Sequence, residues 1–457
     1  MDPYGYTDNN NEKPRGRFSN QYPHPEVMIE QQNVQNNPSC GGSEYPMGQP
    51  QVPRKNGFWP GFLAGFMVTL LLVVGTWSAK SIYSNIFGSK EAMVGKGDAV
   101  TTSEAFKKIQ KIEGIIDDYY YKEEDIDAGK MQDGMYAGLV DSLGDPYSVY
   151  YNEEELTELL ESTEGIYYGI GAYMTTDKTT NCAMVTGTIA NTPAEEAGLR
   201  PGDLVMEVDG ENVQGLTLDE VVAKVRGDEG TSVHLTIYRE GESDFLEFDI
   251  TRRKVESPTV TYEMLEQDIG YIQITEFDDV TTDQFTDAYA TIKGSNAKGL
   301  IIDLRGNPGG NVDTVVGIAR QLLPEGLIFY TENKTGKREE YSCDGKNEIQ
   351  IPLVVLVDSY SASASEILSG AVKDYGIGKL VGTTTFGKGI VQRVISLSDG
   401  TALKLTESAY YTPSGKNIHG IGIDPDVEIA FDGDAYYNDG IDNQLEKGKE
   451  VLLDMMR

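Results

Sequence analysis

The chain has 457 residues, room for two to four domains at roughly 100–200 residues each. It carries 73 acidic and 38 basic residues, a formal charge of −35, which argues against nucleic acid or an anionic membrane surface as its main ligand. Three cysteines (Cys40, Cys182, Cys343) exclude a disulfide framework. Three scattered histidines (His24, His234, His419) speak against a histidine metal cluster and most histidine-based catalysis.

Residues 1–57 contain 8 Asn, 6 Gln, 8 Pro and 6 Gly and lack apolar periodicity, so they read as a disordered tail. Residues 58–79 are 22 residues without a charge, bounded by Trp59 and Trp77. At about 1.5 Å rise per residue the two tryptophans stand roughly 27 Å apart in a helix, the spacing of an aromatic belt, and the segment reads as a transmembrane helix. The apolar run is longer than a usual signal-peptide core, and no A-x-A site precedes Lys80. Lysines and arginines flank it on both sides, so charge does not set its orientation.

Residues 80–98 form a Gly/Ser/Lys linker. A small helical segment is expected over 99–162. Phe106, Ile109, Ile112, Ile116 and Tyr119 are spaced by three or four, a second helix spans about 128–142, and a third opens at Asn152 with Glu155 as its capping-box partner. Residues 163–254 change to short β-rich runs at 166–173, 183–189, 204–208, 233–238 and 245–250, with helical stretches at 193–199 and 218–225. From 255 to 430 strand and helix signals alternate, predicting an α/β core, and 431–457 ends in a helix from Asn443.

Three segments of that core carry chemistry. Asp303-Leu-Arg-Gly-Asn-Pro-Gly-Gly310 follows a buried strand and presents free backbone N–H groups. Ser361-Ala-Ser-Ala-Ser-Glu366 lies between a buried strand and a helix, where the helix N-terminus favours developing negative charge. Thr385-Phe-Gly-Lys-Gly-Ile-Val-Gln392 has Lys388 between two glycines. A nucleophilic serine needs a base. His234 falls in the β-rich segment and His419 lies far down the chain, so a Ser-His-Asp triad is poorly supplied, whereas a Ser-Lys pair is a known variant that needs a buried, neutral lysine.

Residues 191–210, with A-E-E-A-G-L-R-P-G-D-L at their centre, resemble a PDZ domain, and Tyr168-Gly-Ile-Gly171 matches the place of its carboxylate-binding loop. In order, the three core motifs resemble the carboxy-terminal processing peptidases, or tail-specific proteases, as do Gly144-Asp-Pro-Tyr-Ser148, Thr412-Pro-Ser-Gly415 and Gly420-Ile-Gly-Ile-Asp-Pro-Asp426. The resemblance covers about 100–457. Behind the transmembrane helix read above, it implies an α/β multidomain protein of helical segment, PDZ domain and a crotonase-like (ββα) serine peptidase core. It also implies Ser363 as nucleophile, Lys388 as general base, Gln392 as the residue orienting it, and an oxyanion hole from the N–H groups of Ala364 and of Gly309 or Gly310. Tyr168, Gly169, Ile170 and Gly171 would bind the C-terminus of a protein substrate. No metal or organic cofactor is called for. The catalytic part is expected outside the cytoplasm, anchored in the cell membrane by one span; a homo-oligomer is compatible with the sequence. The competing readings are a membrane-tethered PDZ scaffold with a silent protease domain, and a crotonase-like acyl-transfer enzyme.

Overall fold

The computed structural model describes residues 100–457. The tail, the expected membrane span and the linker lie outside the described residues. No helix among the described residues is long and apolar enough to cross a membrane.

The helical segment begins where Thr102 caps Ser103–Tyr119, its side chain accepting from Ala105 N at 3.1 Å. That helix buries no residue; Phe106, Ile109, Ile112, Ile115 and Tyr119 stand exposed. Asp127 caps Ala128–Asp141, and Asn152 and Glu155 form the reciprocal capping box that opens Glu153–Glu164. One element departs from the helical reading. Val149–Tyr151 is a strand paired antiparallel with Ala402–Tyr411 of the core, so this segment completes a core sheet.

Residues 163–254 form a five-strand path in the order Ala172–Thr176, Ala183–Thr188, Leu204–Val208, Ser232–Tyr238, Leu246–Thr251, with Glu211–Asn212 paired to Leu204–Val208. The run expected over 166–173 divides at Ile170. Ile166–Gly169 pairs with Arg253–Glu256 in a ribbon of its own, and Ala172–Thr176 becomes the edge strand. Ile170 drops into the core beneath, with Ala194, Val205, Leu235 and Ile250. Helix Leu218–Val225, capped by Thr217 and Glu220, buries Val221 and Val225 against the same core.

The core holds a six-stranded sheet in the order Val260–Leu265, Ile269–Ile274, Gly299–Asp303, Leu353–Val357, Gly378–Gly382, Val427–Glu428. Its first pair is antiparallel and the rest are parallel. Gly299–Asp303 and Leu353–Val357 are buried at every residue, as strands covered on both faces require. Helices Thr281–Gly294, Val312–Ala319 and Ala364–Tyr375 contribute to the larger cluster, around Phe285, Leu300, Val355 and Leu368. On the other face Leu452 of helix Asn443–Met455 packs on Ile301, Val354 and Leu356, so the C-terminal helix is a layer of the core. A second, antiparallel sheet of Val149–Tyr151, Glu325–Asn333, Arg338–Asp344, Ile390–Ser396 and Ala402–Tyr411 stands beside it. Three adjacent parallel strands, ending at Asp303, Val357 and Gly382, send their following loops to the carboxyl edge of the sheet, where open α/β sheets bind ligands.

Candidate active site

Each of the three loops carries one of the motifs. After Val357 the chain turns and enters helix Ala364–Tyr375 at Ser363, whose φ of 51° and ψ of −110° are unusual for a residue with a side chain. Strain of this kind costs roughly 1–3 kcal/mol and persists only where neighbours enforce it. Ser361 and Ser365 are fully buried and their hydroxyls are committed: Ser361 Oγ donates to Leu304 O at 2.8 Å and Ser365 Oγ to Asn307 O at 3.0 Å. Among the described residues Ser363 Oγ donates to no protein acceptor, and the helix N-terminus lies directly behind it.

The Asp303–Gly310 loop is stitched to that turn. Asn307, fully buried, donates from Nδ2 to Ile274 O, accepts Gly309 N at 2.8 Å, and through its carbonyl accepts Ala362 N at 3.0 Å. A Cβ on Gly309 would lie 2.7 Å from Ala362 O and 2.8 Å from Ser363 Cβ, so only glycine lets the two loops touch. Gly310 bridges Phe277 in parallel, through Phe277 N to Gly309 O and Asn311 N to Phe277 O, which leaves the Gly310 N–H outside the bridge. Of the two glycines, Gly309 has its N–H spent on Asn307. Gly310 N–H and Ala364 N–H, the latter in the first turn of a helix, donate to no protein acceptor among the described residues.

Lys388 arrives on the third loop. A Cβ on Gly389 would lie 2.6 Å from His419 N, and one on Gly387 2.9 Å from Gly422 N, so the 419–422 backbone packs directly against both flanks of the lysine. Burial, together with the charge of Lys404, outweighs Glu366 and Asp145 and brings the Lys388 ammonium down to about 8. Its Nζ lies 4.9 Å from the centre of the Tyr147 ring, and no hydrogen bond joins it to Ser363 Oγ among the described residues. Gln392 Nε2 donates to Thr406 Oγ1 at 3.3 Å. Thr406 N in turn donates to Ser148 Oγ at 3.1 Å, and Ser148 Oγ donates to Asp145 at 2.6 Å, so the Gly144–Ser148 motif reaches the base strand. Burial works to raise the Asp145 carboxyl, but bonds from Ser148, Thr406 and Tyr147 N–H, with the charge of His419, hold it below its ordinary range.

Sequence reasoning gave no role to Glu366, yet it is the residue on which the three segments meet. Its fully buried carboxylate accepts Thr385 Oγ1 at 2.6 Å and Gly387 N at 2.7 Å on one oxygen, and Lys388 N at 2.8 Å and Ser363 N at 3.0 Å on the other. Burial pushes this carboxyl up while the four bonds oppose it. Four donors converging on two oxygens match the ionised form, because a proton there would be a fifth donor without an acceptor. The available signal was the S-x-x-E spacing at a helix start.

The Tyr168–Gly171 segment lies in the PDZ-like unit, apart from the three core loops. Gly171 has φ of 79°, and a Cβ there would fall 2.4 Å from Thr192 Cβ. The carbonyls of Ile170 and Gly171 accept Ala194 N and Ile189 N, which fixes the turn at the head of the edge strand. Tyr168, Ala223, Arg226 and Gly227 line a cleft of about 280 Å³ beside it.

A strained serine at a helix start, a half-buried lysine and two unspent N–H groups, gathered at the carboxyl edge of an α/β sheet and joined to a PDZ-like unit, define a serine-type peptidase. The chain belongs to peptidase family S41, the carboxy-terminal processing proteases. The model of peptidase family S41 matches residues 268–429, that of a PDZ domain residues 184–239, and that of the activating protease CtpB N-terminal domain residues 70–155. The carboxy-terminal processing protease CtpA of Bacillus subtilis (strain 168) is 35% identical over 368 residues, covering 79% of this chain and 76% of its own length. A CtpA-like serine protease of Staphylococcus aureus (strain COL) is 37% identical over 332 residues, covering 72% and 66%. Among solved structures, the photosystem II D1 C-terminal processing protease is 29% identical, with 77% of this chain and 98% of that chain covered and a TM-score of 0.43.

Proposed function

We propose that the protein cleaves polypeptides with a Ser363–Lys388 dyad after the PDZ domain has taken up their C-termini. Neutral Lys388 turns from the Tyr147 ring to accept the Ser363 proton as Oγ bonds to the scissile carbonyl carbon. The oxyanion is held by the N–H groups of Ala364 and Gly310. The Lys388 ammonium then gives its proton to the leaving amine. Water, losing a proton to Lys388, attacks the acyl-enzyme, and Ser363 recovers its proton as the new carboxyl end departs. Gln392, tied to Thr406, keeps the strand after Lys388 in place. The observation that carries this reading is the single carboxylate of Glu366, which holds the backbone of Ser363 and of Lys388 on the same oxygen.

In the PDZ domain, the N–H groups of the Tyr168–Gly171 turn take the substrate carboxylate, and the tail adds to the free edge of Ala172–Thr176 beside helix Leu218–Val225. We further propose that residues 58–79 anchor the enzyme in the cell membrane, with the catalytic part outside the cytoplasm; their length and tryptophan placement support this. The test incubates the full chain in detergent, and its Ser363→Ala variant, with one protein ending in Ala-Ala and the same protein ending in Asp-Asp. Cleavage by the wild type alone, favouring Ala-Ala, is expected. Binding of the apolar tail without cleavage by either would favour the scaffold reading.

A further inference from the structure

The antiparallel sheet beside the core leaves one long edge open at the site. Strand Ile390–Ser396 begins two residues after Lys388 and, among the described residues, pairs only with Ala402–Tyr411. The backbone of Lys388 shares one oxygen of Glu366 with that of Ser363, so this strand sets out from the dyad. Its seven residues run about 23 Å at roughly 3.3 Å each.

The register says which groups the edge offers. Leu397 N donates to Thr401 O at 2.8 Å where the hairpin turns. From there the pairing is regular back to Gln392, with Ile395 opposite Leu403 and Arg393 opposite Leu405. Those two residues therefore direct their N–H groups to the partner strand, and the N–H groups of Gln392, Val394 and Ser396 face away from it. No other element takes these three up among the described residues.

Sheets blunt such edges with charge, proline or cover. The other long edge of this sheet, Arg338–Asp344, follows that rule, with Arg338, Glu339 and Glu340 all exposed. Ile390–Ser396 does not. Its one charged residue, Arg393, is spent on Glu407 of the partner strand. Val394 and Ile395 stand exposed on its two faces, and exposed Leu397 follows.

We propose that this edge seats the polypeptide substrate: an extended segment of the chain to be cut adds to Ile390–Ser396 through backbone hydrogen bonds and is led along it to Ser363. The site reads main chain, so it accepts unfolded segments of many sequences, apolar ones included. It is a second strand-addition site, distinct from the PDZ edge that holds the tail. The inference rests on the Ser363–Lys388 reading.

The test uses the full chain and its Val394→Pro variant. Proline removes only an outward N–H and leaves the hairpin ladder whole. KM for casein rises roughly three- to tenfold, the worth of one backbone hydrogen bond, with little change in kcat. Acylation of Ser363 by a small fluorophosphonate keeps its wild-type rate. In parallel the wild type is given an apolar peptide substrate methylated at one amide at a time, away from its scissile bond and its C-terminus. Every second methyl group weakens cleavage, as the period of a strand requires. An unchanged KM in a folded Val394→Pro enzyme, or methyl effects without alternation, overturns the proposal; the methyl series decides alone should the variant fold poorly. A wild-type dimer that Val394→Pro dissociates with KM unchanged gives the edge to a second copy and overturns it too. A wild type unlabelled at Ser363 overturns the dyad and the proposal together.

Discussion

Replacing Glu366 by glutamine removes one charge and turns one of its two acceptor oxygens into a donor. In the native site each oxygen receives two hydrogen bonds, from Thr385 and Gly387 on one side and from Lys388 and Ser363 on the other. Whichever way the amide is oriented, its NH₂ meets a backbone N–H. With the NH₂ toward Gly387, the Thr385 hydroxyl is already an acceptor for Ile423 N, and the Gly387 donor is left unpaired. An unpaired buried donor costs about 1–3 kcal/mol, and the remaining bonds lose charge assistance, bringing the total to about 3 kcal/mol. At about 2 °C per kcal/mol for a chain of this size, Tm falls by roughly 6 °C. The chemical effect is separable. Glu366 favours the Lys388 ammonium, so its neutralisation moves the ascending limb of kcat/KM to lower pH, below the native position of about 8, while kcat drops as Ser363 and Lys388 lose their common tether. The assays are thermal melting by circular dichroism and the pH profile of casein cleavage. A Glu366→Gln enzyme with unchanged Tm and an unmoved limb would refute the reasoning.

Gly309→Ala places a methyl 2.7 Å from Ala362 O and abolishes turnover through misplacement of the nucleophile loop, with PDZ peptide binding intact by fluorescence anisotropy. Gly171→Val drives Cβ to 2.4 Å from Thr192 Cβ, and raises KM for tail-selected substrates more than for casein; equal effects on both would argue against the carboxylate turn. Asp442→Asn weakens the half-buried bidentate pair with Arg305, which also donates to Gln444 and to Asp303, the end of the strand leading to the Gly309–Gly310 loop. It costs about 1–3 kcal/mol by chemical denaturation, and lowers kcat with little change in KM.

Local signals were legible wherever one element settles its own ends. The capping box at Asn152 and Glu155, helix 218–225 and the buried strands Gly299–Asp303 and Leu353–Val357 stand where the sequence puts them, within a residue. The antiparallel sheet was not legible. Glu325–Asn333, Arg338–Asp344 and Ile390–Ser396 mix charged, polar and apolar residues because each is only partly buried, and their order comes from pairings far apart in sequence. Val149–Tyr151 is three residues long and becomes a strand only because Ala402–Tyr411 receives it. The apolar stripe of Ser103–Tyr119 correctly marked a helix, but among the described residues that face packs against nothing that buries it. At the site the motifs named Ser363, Lys388 and the glycine turn. Glu366 and Tyr147 come to Ser363 and Lys388 only through loop contacts that no local pattern announces.

The dyad is tested most directly by the rate at which a fluorophosphonate acylates the full chain as a function of pH, with the adduct located by mass spectrometry. A single adduct on Ser363 is expected, with a rate that rises with pH through about 8 and no labelling of Lys388→Met. A rate rising through about 6.5, the ordinary histidine range, and surviving in Lys388→Met would hand the base to His419 and contradict the account.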